Sequence, residues 1–525
     1  MNNTPQPAVP RQSHWSSDIA ILAYIALATI IAHALTGNRY GFHRDELATL
    51  DDARHLAWGY IAYPPLTPFF GRISLILFGT SLAGFRFFAA LAEAAAVLLT
   101  GLMARAMGAR RTAQLIAALA AVPFCIAGGA LMQYVSFDYF FWVLAAYSMV
   151  RLLQTDNPRW WLLIGAAIGL GMESKYTMAF LVAGIIAAVL LTDARRYLAG
   201  KWLWYGAAIS ILIFLPNLIW QLRHHFVSLE FLQTIHARDI RIGRTAGFLP
   251  GQLALMMLAL PLAAAGLYFC LFSREGRRYR ALAWMYLVPL ALFFIFKARV
   301  YYMGPAYPML YAAGSVWWQG WLRSRPRSVK AREKESRAAV VRPDSWAFQL
   351  LRIVAFTALT VDILIVSTFS LPIVPINSPA WKFTSKFNGD YRDQIGWPEF
   401  VQTLAQIRNS LPESERAHTA ILAGNYGEAG AINLLGPQYG LPPAISGGNS
   451  FWAHGYGDPP PETVIVVGFS RRFVERNFNS FQLVAKTWNQ FGVATEETED
   501  HPEIYLCRGL KQSWPDFWKN FQYFG

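Results

Sequence analysis

The residue types best suited to chemistry cluster in one stretch: Gly41-Phe42-His43-Arg44-Asp45-Glu46-Leu47, then Asp51-Asp52-Ala53-Arg54-His55-Leu56-Ala57-Trp58-Gly59-Tyr60, then Tyr63-Pro64-Pro65-Leu66-Thr67-Pro68. A hydroxyl has too high a pKa to attack unaided, and a carboxylate that accepts its proton in the transition state removes that difficulty. Asp45 and Glu46 are adjacent, and adjacent residues on a helix point about 100° apart. The two acids therefore do not share one job. Leu47, Leu50, Arg54 and Ala57 recur at helical spacing, so 45–57 is predicted to be an amphipathic helix on a membrane surface. Acids at the start of such a helix also suit its dipole. Spacing alone leaves capping and catalysis equally open.

Other polar residues are more scattered. Asp138 is placed at the opening of a helix, where it can cap that helix or reach into a cavity beneath the first loop. His43, His55 and His236 could join Asp138 around a metal, although isolated histidines more commonly make surface hydrogen bonds. Glu93 and Asp362 fall inside apolar runs, where an ionisable residue is a functional candidate by default.

These residues need elements to position them, and composition says which kind. Of 525 residues, 54% are hydrophobic and 15% charged, with a mean hydropathy of +0.28. A soluble chain carries about 25% charged residues. The deficit excludes a disordered chain and argues against a wholly soluble enzyme. Net charge is +14, but the basic residues sit mostly in short loops between apolar runs. That is the positive-inside pattern rather than a nucleic-acid surface. Three cysteines, none in a CxxC pair, make neither a disulfide framework nor a zinc motif.

Eleven apolar segments are long enough to be candidate spans: 18–36, 84–104, 113–132, 137–153, 160–173, 177–192, 202–220, 252–272, 281–296, 304–322 and 347–371. The first is expected to be a retained helix rather than a cleaved signal. The run 66–78 is too short and is expected to be re-entrant or interfacial. Arg105, Arg110, Arg111, Arg151, Arg159, Arg195, Arg196, Lys201, the 274–280 cluster and the basic loop 323–343 mark the cytoplasmic side. The loops near 37–83, 133–137, 174–176, 221–250 and 297–303 then face outward, as does everything after Pro372. Composition changes at Pro375. Short β-like runs at 419–423, 463–467 and 503–507 alternate with helical patterns at 396–410, 427–435 and 470–478, which predicts a small α/β domain.

HRDEL, HLAWGY and PPLTP in one loop directly after the first apolar helix resemble the GT-C superfamily of membrane glycosyltransferases. The likeness is strongest to the bacterial branch similar to protein O-mannosyltransferases and the lipid A aminoarabinose transferase. Ser136-Phe137-Asp138, Gly171-Met172-Glu173-Ser174-Lys175-Tyr176 and Lys297-Ala298-Arg299-Val300-Tyr301-Tyr302-Met303-Gly304-Pro305 agree with it, so the likeness runs over about 15–320. Gly424-Asn425-Tyr426-Gly427-Glu428 is similar to relatives with an extracytoplasmic tail domain.

The resemblance implies an α-helical polytopic membrane protein, with a GT-C-like domain over 1–375, its first outer loop at 37–83, and a periplasmic α/β domain over 376–525. It implies a sugar donor linked to a polyprenyl phosphate and a hydroxyl acceptor on a glycolipid, another glycan or a protein, at the outer face of a bacterial inner membrane. Nucleic acid has no part in it. Asp45 would accept the acceptor's proton, with Glu46 as its partner or as orienter of the acceptor. Lys175, Arg299 and Arg238 would stabilise the departing phosphate, with Tyr301 and Tyr302 as hydrogen-bond donors. Asp138, His55 and Tyr63 would line or support the cavity. Direct displacement would invert the sugar carbon. No cofactor is firmly implied, and a divalent metal is left open. Two positions depart from it. Tyr63 stands before Pro-Pro where relatives often have Lys or His, and Arg299 replaces a Lys found in some, which changes how phosphate is held. A transporter or lipid-linked-sugar flippase, and a non-catalytic assembly factor, are the competing classes.

Overall fold

A computed structural model describes residues 17–324 and 346–525. The basic loop lies almost wholly outside them, as do the residues before Ser17.

All eleven predicted segments are helical. The elements that matter for the site are α1 (Asp18–Thr36), α2 (Arg44–Arg54), α3 (Leu66–Phe78), α4 (Leu82–Ala106), α5 (Arg111–Gly128), α6 (Tyr134–Thr155), α7 (Trp160–Met172), α8 (Met178–Leu191), α9 (Lys201–Arg223) and α10 (Val227–Arg241). Among the described residues, seven helices are long and apolar enough to cross a membrane, or up to eight if a pair bent by 97° after α8 counts as one span. Helices α3 and α7, at 13 residues each, are shorter than a bilayer crossing. The stretch 221–250, expected as a loop, instead contains α10. Of that helix only Ser228 and Asp239 are buried, so it offers no apolar stripe.

Small residues let the bundle close. A Cβ on Gly165 would lie 2.0 Å from the Gly206 carbonyl, so α7 and α9 touch backbone to backbone.

The C-terminal residues form a five-stranded sheet. Its strands are β1 (Thr419–Ala423), β2 (Ala444–Ile445), β3 (Thr463–Val467), β4 (Phe478–Lys486) and β5 (Glu503–Leu510), in the order β2-β1-β3-β5-β4. Strands β1, β2 and β3 are parallel, whereas β5 runs antiparallel to both β3 and β4. Strands β1, β3 and β5 match the predicted runs. Strand β2 has only two residues, and β4 is an edge strand, largely exposed, so neither carries a clear apolar signal.

Helix α2 joins the two regions. Leu50 packs in the bundle core and Leu47 in the core beneath the sheet. The helix Tyr426–Leu435 lies against α2, and Gly430 permits the approach, since a Cβ there would sit 2.8 Å from Leu47.

The orientation of α2 is set by one buried ion pair. Arg86 on α4 donates Nε to Glu46 Oε1 at 2.8 Å and Nη2 to Glu46 Oε2 at 2.6 Å. Its remaining donors reach the Gly37 and Gly41 carbonyls and Gln394 Oε1. Glu46 also accepts from the Met132 and His43 main-chain N–H groups at 2.8 and 2.9 Å. Burial alone would raise the Glu46 carboxyl, but Arg86 and these hydrogen bonds outweigh it and hold the group below its ordinary range. Removing one charge from such a pair leaves the other buried and uncompensated. Glu46→Gln is therefore expected to destabilise the protein by about 3–5 kcal/mol, read as a lowered thermal midpoint of the detergent-solubilised chain. A midpoint unchanged from wild type would show that the pair does not hold α2.

Candidate active site

A cavity of about 1540 Å³ opens where α2, the bundle and the sheet region meet. Its polar wall includes Asp45, Asp52, Tyr63, Lys175, Arg238, Arg299, Tyr301, Tyr302 and Tyr426, and its apolar wall includes Phe180, Leu232, Leu255, Phe293 and Phe296.

Asp45 sits in the first turn of α2. His43 opens this helix, its Nδ1 accepting the Asp45 N–H at 3.1 Å while Glu46 accepts the His43 N–H, a reciprocal cap. The His43 Nε2 faces Asp393 at 3.5 Å. With the capping done by its neighbours, the Asp45 carboxylate turns to the cavity, its side chain 43% exposed. Oδ1 accepts from the Tyr426 hydroxyl at 2.8 Å and Oδ2 from Gln133 Nε2 at 3.1 Å. Both donors are neutral, so they orient the carboxylate without adding positive charge beside it. Glu46 does not line the cavity. It is wholly buried and its lone pairs are taken, so the expected role as acceptor orienter has no geometric basis; Glu46 fixes the helix instead.

Lys175, buried in the turn between α7 and α8, places its ammonium 3.9 Å from the centre of the Tyr302 ring and 5.4 Å from those of Tyr134 and Tyr301. That aromatic cage holds a cation in a water-poor wall. Arg299 is already engaged, donating to Asp239 at 2.6 and 3.0 Å and to the Tyr301 hydroxyl at 3.4 Å. Its charge is largely neutralised within the protein. Arg238 lines the cavity, and its Nε is buried without a hydrogen-bond partner.

Tyr63 supports the wall by donating to Asp52 Oδ2 at 2.6 Å. Burial pushes Asp52 up to about 8, against the Tyr63 hydrogen bond and with the Asp51 charge adding to the rise. Asp138 lies within α6, which begins four residues earlier with Gln133 as its cap, so it is not the N-cap. Its Oδ2 accepts from Thr177 at 3.1 Å, and it stands outside the cavity lining. His55, at the exposed end of α2, also lies outside that lining and faces Asp51 and His454. The set of His43, His55, His236 and Asp138 is thus not assembled as a metal site. Glu93 and Asp362 are buried in the bundle and do not line the cavity.

Among the cavity residues, Gln133 carries no mark in the sequence, and Asp52 and Tyr426 stand in the stretches quoted above without a role of their own. Tyr426 lies 381 positions from its partner Asp45. Its only local signal is the Asn425–Glu428 capping box that starts its helix, which says nothing of where the hydroxyl points.

Residues 62–220 match the family model described as dolichyl-phosphate-mannose-protein mannosyltransferase. That segment includes Tyr63 and Lys175 and stops short of Asp45 on one side and Arg299 on the other. An undecaprenyl phosphate-alpha-4-amino-4-deoxy-L-arabinose arabinosyl transferase of Pseudomonas fluorescens is 27% identical over 240 residues, 43% of this chain and 42% of the relative. The lipid A galacturonosyltransferase RgtD of Rhizobium johnstonii is 27% identical over 165 residues, 31% of this chain and 34% of the relative. The chain thus spans less than half the length of either curated relative. In fold the likeness is broader. The crystal structure of ArnT from Cupriavidus metallidurans bound to undecaprenyl phosphate superposes with a TM-score of 0.55 at 14% identity, over 93% of this chain and 98% of that one. The same protein in its apo state gives 0.54 at 13% identity, over 93% and 97%. In sequence over 62–220 the chain is similar to this mannosyltransferase family, and in fold over nearly its whole length it is similar to ArnT.

Proposed function

We propose that this chain is an inverting glycosyltransferase. It moves a sugar from a polyprenyl-phosphate donor to a hydroxyl of an envelope glycolipid, at the outer face of a bacterial inner membrane. The single observation that carries this reading is the makeup of one cavity: a solvent-reaching carboxylate, a caged ammonium and a broad apolar wall. The names of the relatives, an undecaprenyl-phosphate sugar transferase and a lipid A galacturonosyltransferase, support the donor and acceptor classes.

In the step proposed, the acceptor oxygen forms a bond to the sugar's C1 as the bond from C1 to the phosphate oxygen breaks. The acceptor's proton passes to Asp45, and the electron pair of the breaking bond goes to the phosphate. Tyr426 and Gln133 keep the Asp45 carboxylate aimed. Lys175 meets the negative charge that grows on the phosphate, with Tyr301 and Tyr302 beside it and Arg238 as a further cation. Arg299, bound to Asp239, serves to hold the wall. The prenyl tail lies along the apolar wall. The division proposed is a membrane part over 1–375, with the first loop outside, and an extracytoplasmic part over 376–525.

Two substitutions test the assignment in purified protein, with an undecaprenyl-phosphate-linked sugar and lipid A, and product measured by mass spectrometry. Asp45→Asn keeps the size and the hydrogen-bonding reach of the side chain but removes the proton acceptor, so kcat is expected to fall about 100-fold or more. Turnover within a few-fold of wild type would remove Asp45 from the chemistry. Lys175→Ala is expected to raise KM for the donor and to lower kcat, leaving KM for the acceptor near its wild-type value. An unchanged donor KM and kcat would dissociate Lys175 from the phosphate. Product formed in detergent, with no second compartment, also separates a transferase from a flippase.

A further inference from the structure

The far end of α2 carries a second polar cluster, outside the cavity. Asp51 is 2% exposed. Its Oδ1 accepts from Asn433 Nδ2 at 2.7 Å, whereas its Oδ2 is buried without a hydrogen-bond partner. Two imidazoles face that oxygen, His55 Nδ1 at 3.5 Å and His454 Nδ1 at 3.7 Å. One ligand atom from each of the three residues falls within 4.8 Å of the others, and the two rings lie 4.6 Å apart at 51°.

An ordinary ion pair accounts for this poorly. Neither imidazole reaches hydrogen-bonding distance of Oδ2, and two imidazoliums this close would repel. A single cation satisfies all three groups at once. Bond lengths of about 2.0–2.2 Å around tetrahedral zinc place ligand atoms about 3.3 Å apart. The two His–Asp51 separations need to close by only a few tenths of an ångström. The two imidazole nitrogens lie within 4.8 Å of each other and must also draw together, and the movement falls on two partly exposed side chains. One contact is exchanged, because His55 Nδ1 also lies 3.0 Å from the Asp51 carbonyl. Two imidazole nitrogens with one carboxylate suit Zn²⁺ and disfavour Mg²⁺ or Ca²⁺. The carboxylate is already oriented from behind, since Asn433 is itself fixed by the Ala444 N–H at 2.8 Å.

We propose that Asp51, His55 and His454 bind one Zn²⁺ ion, with water in the fourth position. Asp51 and His55 stand one turn apart on α2, and His454 comes from the 3-10 turn Asn449–His454 of the sheet region. The ion would therefore staple the sheet region to the helix whose first turn presents Asp45. It is a structural site, separate from the transfer chemistry.

The test uses the full-length, tag-free protein in detergent, stripped with EDTA and titrated with ZnCl₂ against a chromophoric chelator. Wild type is expected to retain one equivalent after gel filtration and to gain thermal stability in proportion to occupancy. His55→Ala and His454→Ala should each weaken binding at least tenfold and abolish that gain. Because both side chains are partly exposed, the zinc-free variants should unfold near the zinc-free wild type, which separates lost metal from lost fold. Less than a tenth of an equivalent retained by wild type, or full retention by either variant, would overturn the assignment. The readout is metal content, so it is independent of whether transfer activity is found.

Discussion

A carboxylate and a guanidinium removed from water hold this molecule in register. Glu46 and Arg86 sit at 0% and 3% exposure, where each charge is tolerable only because the other is present. Arg86 belongs to a long bundle helix and Glu46 to a short helix held between the bundle and the sheet region, and the same guanidinium also binds the Gly37 and Gly41 carbonyls. The pair therefore fixes both the position and the rotation of α2. Helical geometry then decides what Asp45 can do. With Glu46 turned inward, its neighbour must turn about 100° away, which brings it to the cavity.

The sheet region completes the site rather than merely accompanying it. Tyr426 reaches Asp45 from the first turn of a helix whose Gly430 lets it lie against α2. Trp397 ties the same region to the start of the loop by donating to the Phe42 carbonyl at 3.0 Å. A carboxylate that reaches water keeps many rotamers. Two neutral donors from separate parts of the chain remove most of them while leaving the group able to accept a proton. Lys175 is fixed by a different device, a ring of tyrosines around its ammonium.

The helices were legible in the sequence because long apolar runs have few alternatives, and α2 because its apolar residues keep helical spacing. Strands β1, β3 and β5 were legible for the same reason, whereas β4, an exposed edge, offers no apolar pattern to read. Within the site, the sequence distinguished residues that look unusual where they stand, such as acids after a span or a lysine in a helix turn. It separated Asp45 from Glu46 in role only through the resemblance, and it did not show Glu46 locked inward, since that depends on Arg86, 40 positions away. Nor did it foresee that Asp239 would occupy Arg299, or that Tyr426 would close the site. Those facts depend on contacts between distant segments, and local periodicity carries no record of them.

In the proposed complex one cavity holds the donor's phosphate at Lys175 while its sugar carbon faces Asp45. A structure of the full-length protein in a lipid nanodisc, bound to a non-hydrolysable polyprenyl-phosphate sugar analogue, measures this directly. The phosphate is expected beside the Lys175 ammonium, with the anomeric carbon close enough to Asp45 for one hydroxyl to bridge them. A phosphate bound elsewhere, or a sugar carbon turned away from the Asp45 carboxylate, would contradict the account.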